Sequence, residues 1–314
     1  MQGKQGLMRG IITKVYGLYY AVYCEGKTLN CYLRGRIRQN EDLKRYSNPA
    51  AVGDFIDFDV SEDGTGTIRN ILERKNIFSR KEKGRTRKED IIACNLDLIV
   101  VVQSFDKPPF NMRFVDRLLV RGVKAGIPVI LCVNKLDLAM KEQISYIKRY
   151  YKNVPVSIVL VSALTGEGVE ALRRKLLKSV SIFVGYSGVG KSSLLNALFP
   201  ELNLRISEVS ESTGKGRHTT TNVEMISHGN ASIIDTPGLR EFGLMDLEPD
   251  DLGRYFHEFS RYADLCEFSP CSHDHEPNCE VKRQVDQGKI CEDRYISYLN
   301  ILYSLRDYYN RKYQ

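Results

Sequence analysis

Over the first seventy-five or so positions, apolar and polar residues alternate with period two. Ile56-Asp57-Phe58-Asp59-Val60 shows this most clearly, while GLYYAVYC (17–24) and KTLNCYL (27–33) are rich in aromatic and branched residues. With LMRGIITKV and TGTIRNILER they make about five strands, punctuated by Gly, Asn and Asp. Five short strands predict a small barrel of the OB type over residues 1–75, with an SH3-like barrel as the alternative. The long connection after the third strand carries Arg34, Arg36, Arg38, Lys44 and Arg45, and reads either as a solvated loop or as one facing RNA.

The period changes further along the chain. RKEKGRTRK (80–88) has no apolar residue and six basic ones against a single Glu, which predicts a basic linker over 76–90. Beyond it, LDLIVVVQ (96–103), IPVILCVNK (127–135), PVSIVLVSA (155–163) and SIFVGY (181–186) are continuous apolar runs separated by stretches of helical periodicity, and strands at 223–227 and 231–235 follow. Strands that are apolar on both faces belong to a mostly parallel sheet covered by helices, so residues 91–245 read as an α/β domain. Residues 246–314 return to helical periodicity with clustered Cys and His. The final KICEDRYISYLNILYSLRDYYNRKYQ carries a Tyr and Leu stripe expected to be packing surface.

The chain has 314 residues, 42% of them apolar, enough for two or three domains each with its own core; this excludes a disordered chain and a disulfide-stapled miniature. Lys and Arg number 46 against 39 Asp and Glu, a surplus of +7 that is compatible with a polyanionic partner such as RNA without requiring one. No apolar run approaches the roughly 18 residues of a membrane helix. MQGKQGLMRG has no apolar export signal, so a cytoplasmic location with no membrane partner is expected. Of the eight cysteines, Cys24, Cys31, Cys94 and Cys132 are scattered among apolar residues and read as core hydrophobes. The other four lie between 266 and 291, and in a reducing compartment clustering of that kind points to metal.

Gly185-Tyr186-Ser187-Gly188-Val189-Gly190-Lys191-Ser192 is a full G-x-x-x-x-G-K-S placed after a strand and before the helix-like SSLLNALF, which begins at Ser192-Ser193. Backbone N–H groups of such a loop converge on phosphates, Lys191 neutralises the β and γ oxygens, and the Ser192 hydroxyl is placed to ligate Mg²⁺. Asp235-Thr236-Pro237-Gly238 ends another strand, offering Asp235 to the Mg²⁺ water shell and the Gly238 N–H to the γ-phosphate. Between them, Gly216-Arg217-His218-Thr219-Thr220-Thr221 stands where a switch loop supplies Thr219 and Thr220, with Thr220 as a second Mg²⁺ ligand. Asn134-Lys135-Leu136-Asp137 selects the base: one carboxylate, Asp137, can accept both the N1–H and the 2-amino group of guanine, which adenine cannot offer. Asn134 and the Lys135 stem would hold the loop and flank the ring, and Ser162-Ala163 would place N–H groups near guanine O6.

In a standard GTPase the P-loop precedes NKxD, yet here Asn134 and Ser162 come before Gly185. The same sheet forms from a circularly permuted chain. The order NKLD, SAL, GYSGVGKSSLLN, GRHTTT, DTPG, set between an OB-like front and a Cys/His tail, resembles the RsgA (YjeQ/YloQ) family of circularly permuted, ribosome-dependent GTPases over nearly the whole chain. The fold class expected is therefore α/β: a permuted P-loop GTPase domain with an N-terminal OB-type barrel and a C-terminal helical zinc-binding domain. The resemblance implies GTP/GDP with Mg²⁺ as ligands. It also implies the small (30S) ribosomal subunit and its 16S rRNA as partner, late maturation of that subunit as the process, and a monomeric protein. Two other readings stay open at this point: a GTP-sensing RNA-binding module with incidental hydrolysis, and a permuted GTPase acting on the large subunit.

Leu239 occupies the place where a standard GTPase has its water-orienting Gln. An apolar side chain cannot orient water, so His218 is the candidate within the chain, and the resemblance implies the same residue; His218, Lys191 and Thr220 form the expected catalytic set. Gly188 stands where GTPases with a monovalent-ion route have Asn, so no K⁺ dependence is expected. In the tail, Cys266, Cys271, His273 and Cys279 offer three thiolates and an imidazole, the set tetrahedral Zn²⁺ prefers, which predicts one structural zinc. His275 competes with His273 on spacing alone, and the family pattern favours His273.

Overall fold

The structure, a computed structural model, describes residues 7–38, 43–81, 88–203, 223–236, 244 and 246–313. In chain order the elements of the barrel region are β1 (Met8–Tyr16), β2 (Tyr19–Cys24), β3 (Lys27–Leu33), α1 (Gly35–Arg38), β4 (Phe55–Val60) and β5 (Gly66–Ile71). They are followed by β6 (Ile77–Lys81), β7 (Glu89–Cys94), β8 (Leu98–Ser104), α2 (Met112–Ala125), β9 (Val129–Asn134), α3 (Lys141–Tyr150), β10 (Ser157–Leu160), α4 (Val169–Leu176), β11 (Val180–Val184) and α5 (Lys191–Leu198). The rest are β12 (Glu224–His228), β13 (Ala231–Asp235), α6 (His257–Ser260), α7 (Glu280–Asp286) and α8 (Glu292–Tyr313). The chain divides into two compact units: Met1–Val100 with Arg173–Ser187 and Arg205–Arg240, and Val101–Leu172 with Gly188–Leu204 and Glu241–Gln314.

In the first unit the strands run β1-β2-β3-β5-β4 and close back on β1, with β3 and β5 parallel and the other pairs antiparallel. That closed five-strand path is the OB-type barrel, not the SH3-like alternative. Its interior is filled by the alternate positions that the period-two pattern marks: Ile12, Tyr20, Val22, Cys31, Ile56, Phe58 and Ile68 are all fully buried. Gly66 lets β5 come close to β3, because a Cβ there would meet Cys31 Sγ at 2.3 Å.

The four scattered cysteines are buried, as expected, and burial pushes the Cys31 thiol up to about 12. Cys94 does more than fill space. Its Sγ lies 3.0 Å from Oδ1 of the buried Asp54, whose carboxylate is gripped by Arg74 through Nε and Nη2, each at 2.7 Å. Residues 77–81 and 89–94 pair as an antiparallel hairpin, from Ile77 opposite Cys94 to Lys81 opposite Glu89. Both ends of the segment expected as a linker over 76–90 therefore carry sheet hydrogen bonds, and its middle, with Arg85 and Arg87, lies outside the described residues.

The same unit holds β11 and β13 in parallel, β12 antiparallel to β13, and β12 antiparallel to β1, so this sheet runs on into the barrel. In the second unit β9 and β10 pair in parallel. Asn111 caps α2 by accepting the Phe114 N–H at 3.0 Å, and the helix stops at Gly126 in the left-handed conformation (φ 65°). Along α8, Tyr298, Ile301, Leu302 and Leu305 are buried in one core with Phe256 and Phe259, so the expected stripe is packing surface. Among the described residues no helix is long and apolar enough to cross a membrane.

Candidate functional site

The side chain that joins the loops expected to bind the base is Asn134, at the end of β9 and only 2% exposed. Its Nδ2 donates to the Val189 carbonyl at 3.0 Å and its Oδ1 accepts the Ala163 N–H at 3.1 Å. One amide thus ties NKLD both to the Ser162-Ala163 loop and to the glycine-rich loop. Gly190 is in the left-handed region (φ 87°), and a Cβ there would sit 2.4 Å from Asn134 Nδ2, so the clamp requires glycine for space as well as for conformation.

Asp137 is exposed, and Ser162 Oγ donates to its Oδ1 at 2.5 Å, which orients the carboxylate; the same Oγ accepts the Thr165 N–H at 3.1 Å. Lys135 is left-handed (φ 61°), and its ammonium donates to the carbonyls of Lys107 and, at 3.3 Å, Asp106, so its stem is held along the loop. Gly188, Val189, Gly190, Lys191, Ser192 and Ser193 run from the loop into the first turn of α5.

In the first unit, Gly185, Tyr186 and Ser187 follow β11. Asp235 ends β13, and the next residue, Thr236, donates through Oγ1 to the Phe183 carbonyl at 2.8 Å. This bond fixes the end of β13 against the strand that leads into the P-loop. Sequence reasoning passed over Thr236, although a buried hydroxyl needs a partner and its place in D-T-P-G was visible. His218, Thr219, Thr220 and Gly238 lie outside the described residues.

The ligand atoms of Cys266, Cys271, His273 and Cys279 all lie within 4.8 Å of one another. His273 Nδ1 is 3.7 Å from Cys266 Sγ and 3.5 Å from Cys279 Sγ, and those two sulfurs are 3.9 Å apart. Around a tetrahedral zinc with ordinary bond lengths the sulfur–sulfur edge is about 3.8 Å and the sulfur–nitrogen edge about 3.5 Å. The donor set and spacing therefore fit that ion. Burial pushes the Cys271 thiol up to about 12, raises Cys279 and lowers His273, so thiolates here need a cation to offset the loss of water.

The imidazole is that of His273: it is buried, whereas the His275 side chain is 75% exposed. The surrounding loop is pinned by Tyr295 Oη on the His273 carbonyl (2.8 Å), Tyr298 Oη on the Ser272 carbonyl (2.6 Å) and Glu276, which accepts the Ser272 and Asp274 N–H groups. Cys291 stands just before α8 and its carbonyl accepts the Tyr295 N–H, outside the cluster.

The sequence pattern of the family described as RsgA GTPase matches residues 71–245, and that of the RsgA N-terminal domain matches 9–68. The chain belongs to the RsgA GTPase family. Relatives called small ribosomal subunit biogenesis GTPase RsgA include one from Chlorobaculum tepidum, 41% identical over 96% of this chain and 99% of the relative, and one from Flavobacterium johnsoniae, 38% identical over 96% and 95%. Among solved structures, YjeQ from Thermotoga maritima superposes with a TM-score of 0.76 at 33% identity, covering 96% of this chain and 99% of that one. YloQ, described as a circularly permuted GTPase, gives 0.72 at 28% identity, covering 98% of each chain. An RsgA-family GTPase with a permuted motif order accounts for NKLD preceding the P-loop.

In this RsgA-family chain a buried polar assembly escaped sequence reasoning altogether. Asp116 of α2, fully buried, accepts from Tyr150 Oη at 2.6 Å, Tyr151 Oη at 3.2 Å, Ser297 Oγ and the Arg294 guanidinium, and Arg294 Nε donates to the buried Glu258 at 2.5 Å. The guanidinium also lies 4.5 Å from the Phe256 ring centroid. Arg121 and Lys124 of α2 both grip Asp246. The Asp116 contacts seat α8 on α2, and the Asp246 contacts hold the segment before α6 to the same helix. Nothing in the local pattern around Asp116 announces them.

Proposed function

We propose that this RsgA-family GTPase binds the small ribosomal subunit and its 16S rRNA in the GTP state during late maturation, and is released when GTP is hydrolysed. A switch must bind its partner differently in its two forms, and hydrolysis supplies the difference. The observation that carries the guanine-nucleotide part is the double hydrogen bond of Asn134, which joins NKLD, Ser162-Ala163 and the P-loop into one cradle. The ribosomal part is supported by relatives at 38% and 41% identity called small ribosomal subunit biogenesis GTPases.

In this reading Asp137, held by Ser162, accepts the guanine donors, while Asn134, Lys135 and Ala163 shape the base pocket. The N–H groups of Gly185 to Ser193 receive the phosphates and Lys191 neutralises their charge. Ser192 and Thr220 ligate Mg²⁺, with Asp235 on its water shell, and Gly238 donates to the γ-phosphate. Bound Mg²⁺ supplies charge stabilisation of the phosphoryl group. His218 orients the attacking water, since Leu239 cannot. Zinc on Cys266, Cys271, His273 and Cys279 is structural, because four protein ligands leave no open position. The protein works as a cytoplasmic monomer with a barrel over 1–75, a basic segment over 76–90, a permuted GTPase domain over 91–245 and a zinc-binding helical domain over 246–314.

The test is the GTP hydrolysis rate against added small subunits, over a salt series because phosphate contacts weaken steeply with salt. Activating groups supplied to GTPases are worth roughly 10³ to 10⁵ in rate. Stimulation by small but not large subunits, lost in His218→Ala, is expected. Full stimulated turnover in His218→Ala would remove His218 from the mechanism, and no stimulation at all would leave a GTP-sensing module.

A further inference from the structure

The C-terminal end of α2, the turn into β9, the segment before β10 and the start of α6 border a pocket of about 220 Å³. Its walls are apolar, Leu119, Val123, Ile127 and Pro155 among them, and Gly122 and Gly126 supply no side chain to fill the space. Val123 and Pro155 are exposed, which places them at the mouth, while Leu119 and Ile127 are buried. An apolar cavity of about 150 Å³ holds a benzene molecule. This pocket therefore has room for a ring and one small polar group.

The chemistry inside comes from Arg294 of α8, which lines the pocket and is itself buried. Its Nε donates to Glu258 and its Nη1 to Asp116, and the guanidinium lies over the Phe256 ring. Nη2 has no acceptor among the described residues, and it is not sealed from solvent. A donor in such a place gains from an oxygen brought to it. One guanidinium already faces two carboxyl groups, so a further anion would meet unbalanced negative charge, and a cation would meet an N–H that can only donate. A neutral carbonyl oxygen suits both conditions. We propose that this pocket is a binding site for a small neutral molecule with a ring-sized apolar body and a carbonyl oxygen that accepts from Arg294 Nη2. It stands apart from the guanine cradle, since neither Asn134, Asp137 nor Ser162 lines it.

Benzamide has that shape and chemistry. Full-length protein, saturated with GDP so that the guanine site is filled, is titrated with benzamide and followed by ligand-observed NMR. A ligand of this size in a formed pocket is expected to bind with a Kd of about 1 mM. Toluene, which keeps the ring and lacks the oxygen, should bind roughly tenfold more weakly, and benzoate should also bind more weakly than benzamide. Benzamide should raise the thermal midpoint of the parent, because it binds the folded state alone. Val123→Trp places a large ring at the exposed mouth; it should abolish both the binding and the thermal shift while leaving basal GTP hydrolysis as in the parent, which reports intact folding.

No benzamide binding up to about ten times the expected Kd, or unchanged binding in a Val123→Trp protein with parental GTP hydrolysis, overturns the site. Toluene or benzoate binding as tightly as benzamide would overturn the role given to Arg294, and the ligand series decides this in the parent protein without any substitution.

Discussion

Lys14 Nζ, on barrel strand β1, lies 2.5 Å from Oε2 of Glu224, the first residue of β12, and Glu224 stands opposite Asp235 at the end of β13. A barrel cation, its carboxylate partner and the D-T-P-G aspartate thus occupy one row across three strands. The Glu224 hydrogen bond raises the Lys14 pKa, so the pair's contribution is complete at neutral pH and is lost only as pH rises through the raised value. For a partly exposed pair the coupling in a double-mutant cycle should be below about 1 kcal/mol. The larger expected effect is functional: Lys14→Glu reduces partner-stimulated hydrolysis while sparing the basal rate, and Lys14→Glu with Glu224→Lys restores it. Equal stimulation in the single and double variants would show that the row transmits nothing.

Asp246 gives an acid-sensitive seat for the C-terminal region. Burial opposes its charge, but Arg121 and Lys124 outweigh burial and hold its carboxyl down to about 2. A depressed carboxyl stabilises the fold above its unfolded value near 3.9 and loses that contribution as pH falls through the folded value. The difference corresponds to about 2 to 3 kcal/mol. Asp246→Asn should therefore be less stable than the parent at neutral pH by about that amount, and the gap should narrow steadily between about pH 4 and pH 2. Urea midpoints across that window measure it.

Zinc removal should loosen the loop that carries its ligands while leaving the barrel folded. Chelation is expected to open the region from Cys266 to Cys279 to proteolysis. Cys279→Ser and His273→Ala should lower bound zinc, read by elemental analysis, whereas His275→Ala should retain one zinc per chain because His275 is not in the cluster.

Arg294 is the shared ion-pair partner of two buried carboxyl groups, Asp116 and Glu258. Arg294→Met leaves Asp116 and Glu258 without their cation and should cost about 3 to 5 kcal/mol in chemical denaturation. Arg294→Lys should recover only part of this, because an ammonium cannot fork between Asp116 and Glu258 while lying over Phe256.

Asp137→Asn inverts the chemistry at the guanine edge by putting an amide donor where only acceptors stood. GTP affinity should fall by at least tenfold, and a nucleotide carrying a carbonyl in place of the 2-amino group should gain. Unchanged GTP affinity would move base selection elsewhere.

Much of this was written in local pattern. Alternation marked the five barrel strands, continuous apolar runs marked the parallel strands, and the P-loop, NKLD and the Cys/His cluster were legible because each is short and its chemistry depends on residues close in sequence. His273 and His275 could not be separated that way, since spacing does not say which ring turns inward; burial decided it. The segment around 80–88 looked like a linker because six cations dominate its composition, yet strand pairing at its ends depends on Ile77 and Cys94, seventeen positions apart.

By itself the sequence determined the barrel strands, the alternation of strands and helices beyond them, the permuted order of the nucleotide motifs and a Cys/His cluster suited to a metal, all of which follow from side-chain chemistry and local period. Only the tertiary structure decided which strands close the barrel, that Lys14 meets Glu224 across 210 positions, and that Arg294 meets Asp116 across 178. Local periodicity states which face of an element is buried. Which partner covers that face is set by the path of the whole chain, and a buried charge finds its counter-ion only once that path is complete.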